Sequence, residues 1–509
     1  MPRSAWKMET LASVSPRRSP VLEANRYKMK IVFVHNGYES LGIEYLSASL
    51  KKAGHETSLV IDPCLFDEAG FWRLPPLARL FSFRENVIAR TAGLNPGLIA
   101  FSVFTDTFPW ALGLARELKA RTGAKVIFGG IHPSSVPEDV IAEDAVDFVC
   151  LGEGDLSFPA LADMLEKGGD LPAGIWGKEG GKTIKGPAPV PPSDLNSLPL
   201  PDKDIFPSSA PVFSSGYLVS TSRGCPHACA YCCNSVYKEL YRDSGVPCLR
   251  RRGIGDVVCE LETARESSPG FIHFTDEVFN SDPAWLEKFL PLYARRVGLP
   301  FSCFVFPDGR LAGLAAALAE AGCFKVQLGV QRFDEKKRRE LLGRRASNAD
   351  ISAAISALKA AGIYVTCDNI LDLPDESEEE LSALASFYAR NTPDHNEVFF
   401  LRLYPGTPLA ASCGDTDADG GLLRPSGHSP LPPGRQRAFF TLLTLLPRLP
   451  ASTRSFFSGR PGLFGFTGGL GLRVISRILS RPRRDFHTGR FLRLYTHFIF
   501  AKLTGKTWN

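Results

Sequence analysis

Short apolar runs separated by amphipathic stretches set the pattern of the first third of the chain. Lys30–His35 (KIVFVH), Thr57–Asp62 (TSLVID), Leu98–Phe104 (LIAFSVF), Lys125–Phe128 (KVIF) and Phe148–Leu151 are continuous apolar runs, which predicts strands buried on both faces. Gly42–Ala53 and Pro109–Ala120 lie between them with helical spacing. Strands alternating with helices predict an α/β layer with a doubly wound parallel sheet. Ligands of such sheets sit at the carboxyl ends of the strands. Those ends carry His35-Asn36-Gly37, Ser102, Gly129-Gly130-Ile131-His132-Pro133 and Gly152-Glu153-Gly154-Asp155.

A proline-rich stretch without periodicity, Gly186–Pro201, reads as a linker. A second alternation follows, with strands near Tyr217–Ser222, Phe271–Asp276, Phe301–Phe306, Lys325–Val330, Tyr364–Asp372 and Glu397–Tyr404. Leu311–Ala321, Ile351–Ala361 and Glu378–Arg390 are the clearest helices between them. Six βα units predict a barrel or partial barrel with its chemistry on the loops after the strands. Pro405–Pro433 is irregular, and Phe439–Leu446 and Leu472–Leu479 are helical candidates in the tail. The expected organisation is a disordered leader over 1–28 (or a true start at Met29), a Rossmann-like or flavodoxin-like domain over 29–185, a linker over 186–215, a partial (β/α)6 barrel over 216–410 and a mostly helical basic region over 411–509.

Composition adds two things. The net charge of +5 hides an asymmetry: from Arg435 to Asn509 there are fourteen Lys or Arg against one acid, Asp485, so the remainder of the chain carries −8. Such a segment suits an anionic lipid surface, an acidic partner or, as the less favoured reading, nucleic acid, or else is a capping subdomain with a solvated basic face. No apolar run has the length that crosses a bilayer, and no export signal is evident, so the expected location is cytoplasmic, with the tail as a peripheral contact on the inner face of the membrane. The twelve cysteines are then expected to be thiols or metal ligands rather than disulfides.

Three of those cysteines stand on one loop. Arg223–Cys233 reads RGCPHACAYCC, directly after the first strand of the second alternation, and Cys225, Cys229 and Cys232 have the spacing C-x3-C-x2-C. Thiolates hold zinc or iron–sulfur clusters. Structural zinc sites use paired C-x2-C knuckles, and no second knuckle follows. Three thiols on a four-iron cubane leave one iron for a small molecule.

The motif resembles the signature of the radical S-adenosylmethionine superfamily, C-x3-C-x-aromatic-C. The resemblance implies a [4Fe–4S] cluster on Cys225, Cys229 and Cys232, with the free iron chelated by S-adenosylmethionine. It also implies one-electron cleavage to a 5′-deoxyadenosyl radical, and hence an external electron donor. It places Tyr231 beside the adenine. Phe274–Phe279 (FTDEVF) resembles the family's acidic strand-end motif, so Asp276 and Glu277 are candidates for the methionyl ammonium, with a helix N-cap as the other reading of Asp276. Leu328–Gln331 (LGVQ) makes Gln331 a ribose candidate. Arg344, or Arg345 if the spacing is one longer, is the carboxylate candidate. Asp368–Pro374 (DNILDLP) gives Asp368 to the ribose hydroxyls, although Asp372 stands where relatives have glycine. Tyr404–Pro408 (YPGTP) matches a barrel-end turn.

Met29–Leu165 resembles the cobalamin-binding domain found ahead of the barrel in one subclass, through GLIAFS, GGIHP and LGEGD. That implies cobalamin, with Ser102, Gly129 and Gly130 at its nucleotide tail. The D-x-H-x-x-G motif that supplies a cobalt-ligating histidine elsewhere is absent, and neither His35 nor His132 is expected to bind cobalt. The function implied is methylation of an unactivated carbon of a small-molecule or lipid substrate. The alternatives are cyclisation, oxidation or rearrangement with the same cofactors, and a zinc-stabilised binding protein.

Overall fold

The apolar runs of the first third become five parallel strands of one sheet. The computed structural model describes residues 28–68, 72–210, 212–213, 216–266, 269–414, 425–465 and 486–504. Strands β1 (Lys30–Asn36), β2 (Glu56–Asp62), β5 (Leu98–Ser102), β6 (Lys125–Gly129) and β7 (Phe148–Cys150) lie in the order 2-1-5-6-7. A short antiparallel ribbon, β3 (Asp67–Glu68) with β4 (Trp72–Arg73), stands apart. Alternate residues of β1 feed different cores: Ile31 and Phe33 pack on one face, Val32 and Val34 on the other. This is the two-sided burial that the continuous apolar runs require. Ser40 starts the first helix, Leu41–Lys52, by accepting a hydrogen bond from Ile43 N.

Two further strands, β8 (Ile175–Glu179) and β9 (Lys182–Lys185), extend the sheet antiparallel beyond β7. Their turn is Gly180-Gly181, both at positive φ, as a two-residue hairpin turn requires. The proline-rich stretch that follows is irregular but not loose. Ile205, Phe206 and Ala210 are buried in the first domain's core, and Asp202 accepts hydrogen bonds from Ser47 and Lys51.

The second sheet is wholly parallel and its strands lie in chain order: β10 (Tyr217–Val219), β13 (Ile272–Phe274), β14 (Phe301–Val305), β15 (Cys323–Gln331), β16 (Tyr364–Leu371) and β17 (His395–Phe400). Its two edge strands do not pair, so the barrel is partial. A small ribbon, β11 (Ser222–Arg223) with β12 (Arg250–Arg251), sits beside its mouth. Val326, Leu328 and Val330 of β15 point out to the helices, which leaves Gln327, Gly329 and Gln331 on the inner face.

The basic region caps both domains. Helix Pro433–Leu445 packs on β17 with Phe440 stacked on Phe400 at 5.2 Å, and helix Phe486–Thr504 buries Leu494, Tyr495 and Phe498 against the first domain. Tyr495 also accepts a hydrogen bond from Phe66 N. Several of the cations are used internally: Arg435 pairs with Glu378, and Arg454 binds Leu449 O and Thr392. These contacts are those of the capping subdomain, and none of them supports the membrane contact. The candidate helix Leu472–Leu479 and, but for Lys28, the leader lie outside the described residues. Among the described residues no helix is long and apolar enough to cross a membrane.

Candidate active site

The cysteine loop is fixed from both sides. Gly224, at φ +85, has no room for a Cβ, which would collide with the Cys248 carbonyl. On the other side Ala230 N donates to Leu342 O at 3.0 Å, Leu409 N, just after the YPGTP turn, donates to Ala230 O at 3.0 Å, and Gly343 (φ +66) lets the chains approach. The loop leaves Cys225, Cys229 and Cys232 bordering one cavity of about 290 Å3. Its wall also holds Tyr231, Glu277, Gln331, Arg344 and Asp368. The structure therefore brings together residues from five separate stretches of sequence.

Local chemistry differs among the thiols. Burial pushes the Cys225 thiol up to about 11. Cys232 is held low, first by a hydrogen bond from Cys233 and then by Asn234. Arg344 is buried, with Nη1 3.7 Å from Cys229 Sγ and Nη2 donating to Gly329 O at 2.7 Å. Arg345 is exposed, so the cation at the cavity is Arg344. The three thiols line one cavity, and thiolates are the ligands that iron–sulfur clusters take.

The two carboxylates of FTDEVF separate. Glu277 lines the cavity, where burial and the neighbouring Cys232 push its carboxyl up to about 7. Asp276 corrects the expectation: it is 1% exposed, lies outside the cavity wall and accepts hydrogen bonds from Thr221 N (3.0 Å), Thr221 Oγ1 (2.6 Å) and Ser222 Oγ (2.5 Å). Consecutive residues at a strand end face opposite ways, so Asp276 braces the segment before the cysteine loop and caps no helix. Asp368 receives both hydrogen bonds of the Gln327 amide, at 2.9 and 3.1 Å, and burial pushes its carboxyl up to about 7. Gln331 has φ +67, a strained conformation for a side chain, where β15 and β16 slip register.

Two more cavities continue from this one. The first, of about 360 Å3, lies between the domains and shares Asn234, Thr275 and Glu277 with the thiol cavity. The second, of about 40 Å3, sits at the strand ends of the first sheet and shares Leu46, Ser102, Gly130, Gly152 and Gly154 with the interdomain cavity. Gly129 lines it as well. Gly130, at φ +97, would place a Cβ 2.8 Å from Val103 O, so only glycine fits there. A volume of 40 Å3 admits few atoms, so a nucleotide tail enters only if lining side chains such as Leu46 and Phe158 shift. His35 is buried against Phe206 and His132 against Phe108, and neither lines any of these three cavities.

Sequence reasoning missed several members. His227 stacks on Phe306 at 3.8 Å in the thiol cavity, and burial with the Arg344 charge holds its imidazole down to about 4. Gln327 was legible, because period-two spacing puts it on the face of Gly329 and Gln331. Asn234 and Tyr237 on the helix after the cysteines, and Tyr241 at its C-cap, line the interdomain cavity with no sequence signal beyond their proximity.

Comparison with known proteins agrees with this arrangement. The B12 binding domain family matches residues 31–162 and the Radical SAM superfamily matches residues 219–388. The chain belongs to the radical S-adenosylmethionine superfamily of enzymes, in the subclass that carries a B12-binding domain ahead of the barrel. It is 26% identical over 381 residues to an uncharacterized methyltransferase of Pyrococcus horikoshii, covering 72% of this chain and 77% of the relative. It is 24% identical over 401 residues to the cytidylyl-2-hydroxyethylphosphonate methyltransferase of Streptomyces wedmorensis, covering 67% of this chain and 72% of the relative. Among solved structures it resembles the radical S-adenosylmethionine methyltransferase TsrM of Kitasatospora setae with cobalamin and a [4Fe–4S] cluster bound, at TM-score 0.60 and 17% identity over 75% of this chain and 77% of that one. At that identity the likeness is one of fold.

Proposed function

We propose that the protein is a cobalamin-dependent radical S-adenosylmethionine methyltransferase that methylates an unactivated carbon of a small molecule, with electrons from an external donor. The observation that carries this reading is the continuity of the three cavities. Shared lining residues join the glycine-lined strand ends of the first sheet to the three thiols of the barrel. A methyl carrier in one domain and a radical source in the other would face one continuous volume.

Cys225, Cys229 and Cys232 would hold the cluster, and Ser102, Gly129 and Gly130 the cobalamin tail. When bound, the cluster supplies an electron to the sulfonium of S-adenosylmethionine and cobalamin supplies a methyl carrier. The chain's own residues do the placing. The Arg344 guanidinium, beside Cys229, faces a methionyl carboxylate and offsets the negative charge of the thiolates. Glu277 accepts from the ammonium in place of Asp276, which is fully engaged elsewhere. Tyr231 walls the adenine, and Gln331 and Asp368 meet the ribose hydroxyls. Substrate and cofactors filling the space between the two domains would shield the radical from water.

The test is incubation of anaerobic, reconstituted protein with dithionite, methyl-labelled S-adenosylmethionine and a small-molecule extract of the source cells. The expected result is 5′-deoxyadenosine together with a labelled product. 5′-Deoxyadenosine without any labelled product would refute methyl transfer and leave cyclisation, oxidation or rearrangement.

A further inference from the structure

The LGEGD segment faces two sites at once. Its glycines, Gly152 and Gly154, line the narrow cavity of the first domain. Its acids, Glu153 and Asp155, lie in the wall of the interdomain cavity, in a partly buried ion network with the barrel. Arg223, two residues before the first cysteine, donates Nη1 to Glu153 Oε2 at 2.7 Å and to Asp155 Oδ2 at 2.6 Å, and Nη2 to Asp155 Oδ1 at 3.0 Å. Arg250, the ladder partner of Arg223 on β12, pairs with Glu153 and donates to Pro192 O at 2.7 Å. The network holds two acids and two arginines, so its charges balance.

The surroundings leave it little freedom. The Tyr45 ring of the first helix lies under Arg223 at 4.7 Å. Tyr241, at the C-cap of the helix after the cysteines, accepts a hydrogen bond from Glu153 N at 2.6 Å, and its hydroxyl occupies the space that a Cβ on Gly152 would need. Gly224 fixes the chain between Arg223 and Cys225. A shift of Gly152–Asp155 therefore moves Arg223, and through it the cysteine loop. Yet the narrow cavity is too small for a nucleotide tail until its lining shifts.

We propose that Arg223, Glu153 and Asp155 form a positioning latch that couples filling of the first domain's cleft to the geometry of the cysteine loop. The inference rests on the reading of that cleft as a cobalamin site. Coupling between two sites is reciprocal: each ligand changes the affinity of the other by the same factor. The latch is where the two domains exchange that free energy. Arg223, Glu153 and Asp155 act through the loops they hold, and so are positioning residues.

The test is an optical titration of the full-length, cluster-loaded protein with hydroxocobalamin, with and without saturating S-adenosylmethionine. The ratio of the two dissociation constants measures the coupling, whatever the absolute affinities. For the wild type the ratio is expected to be at least about fivefold. Asp155→Asn breaks the bidentate pair at constant volume, and its ratio is expected to fall close to one. Arg223→Lys keeps the charge but not the fork, and carries the same expectation should Asp155→Asn fail to fold. The electron paramagnetic resonance spectrum of the reduced cluster gives a second readout: added cobalamin is expected to shift it in the wild type and not in the variants. Wild-type coupling retained in both variants, or cobalamin binding without coupling in the wild type, would overturn the latch alone. Absence of cobalamin binding by the wild type would overturn the reading of the cleft as well.

Discussion

Replacing Asp372 by asparagine tests how the basic region is held on the barrel. Asp372 is fully buried at the end of β16, and its Oδ2 accepts from Ser426 N (2.6 Å) and Gly427 N (3.0 Å). Its Oδ1 accepts from Ser429 N (2.9 Å) and the Gln436 amide (3.0 Å). Its φ is +64, which asparagine tolerates, so the substitution leaves the backbone strain unchanged and isolates the hydrogen bonds. Whichever way the Asn amide turns, its NH2 faces two donors. Hydrogen bonds to a charged group contribute about 1.5–3 kcal/mol each, and bonds sharing one carboxylate are not additive, so a loss of about 2–4 kcal/mol in docking is expected. The lower figure is about thirtyfold in an opening equilibrium. Hydrogen exchange over residues 425–445 reads this directly, and amide protection there is expected to fall at least that far while the β1 and β5 amides keep theirs. Protection within about threefold of wild type would refute the assignment of Asp372 as the anchor.

Three further outcomes follow from the same geometry. Burial pushes the Glu376 carboxyl up to about 8 from an ordinary 4.5. Its contribution to stability is therefore full below pH 4.5 and is lost as the pH rises through 8. Glu376→Gln is expected to stabilise the fold at pH 8 by an amount on the order of a few kcal/mol, seen as a higher thermal midpoint, and to leave the midpoint unchanged at pH 4; an equal effect at both values would contradict this. Alanine at Cys225, Cys229 or Cys232 is expected to remove most of the reconstituted iron, whereas Cys233→Ala, at the adjacent thiol, keeps it. Gly130→Val would drive a side chain into Val103 O at positive φ, and is expected to abolish cobalamin retention with iron content unaffected.

How much of this was legible depended on where each signal lies. The cysteine loop was legible because its chemistry is local: three thiols and an aromatic within eight residues, after a strand. The five parallel strands of the first sheet were legible from apolar runs, but β8 and β9 were not read, although the diglycine between two short alternating runs is a hairpin signal. The choice between Asp276 and Glu277 was closed to sequence, since it turns on which of two neighbours faces the mouth. Arg344 and Arg345 posed the same problem, decided by the left-handed turn at Gly343. Asp372 stood out as a departure from the family pattern, but its donors lie 54 to 64 residues downstream in a segment without a motif of its own. The Arg223 network was invisible because Glu153 and Asp155 look like ordinary surface acids until the fold buries them against a residue 68 to 70 positions away.

The central claim is that one chain holds a cluster on three thiols and a cobalamin at the neighbouring strand ends. It is tested most directly by measuring iron, sulfide and cobalt in protein purified without oxygen and reconstituted with hydroxocobalamin. The account predicts about four irons and four sulfides with about one cobalt per chain. Zinc in place of iron would contradict the cluster assignment, and a full complement of iron without cobalt would contradict the reading of the first domain.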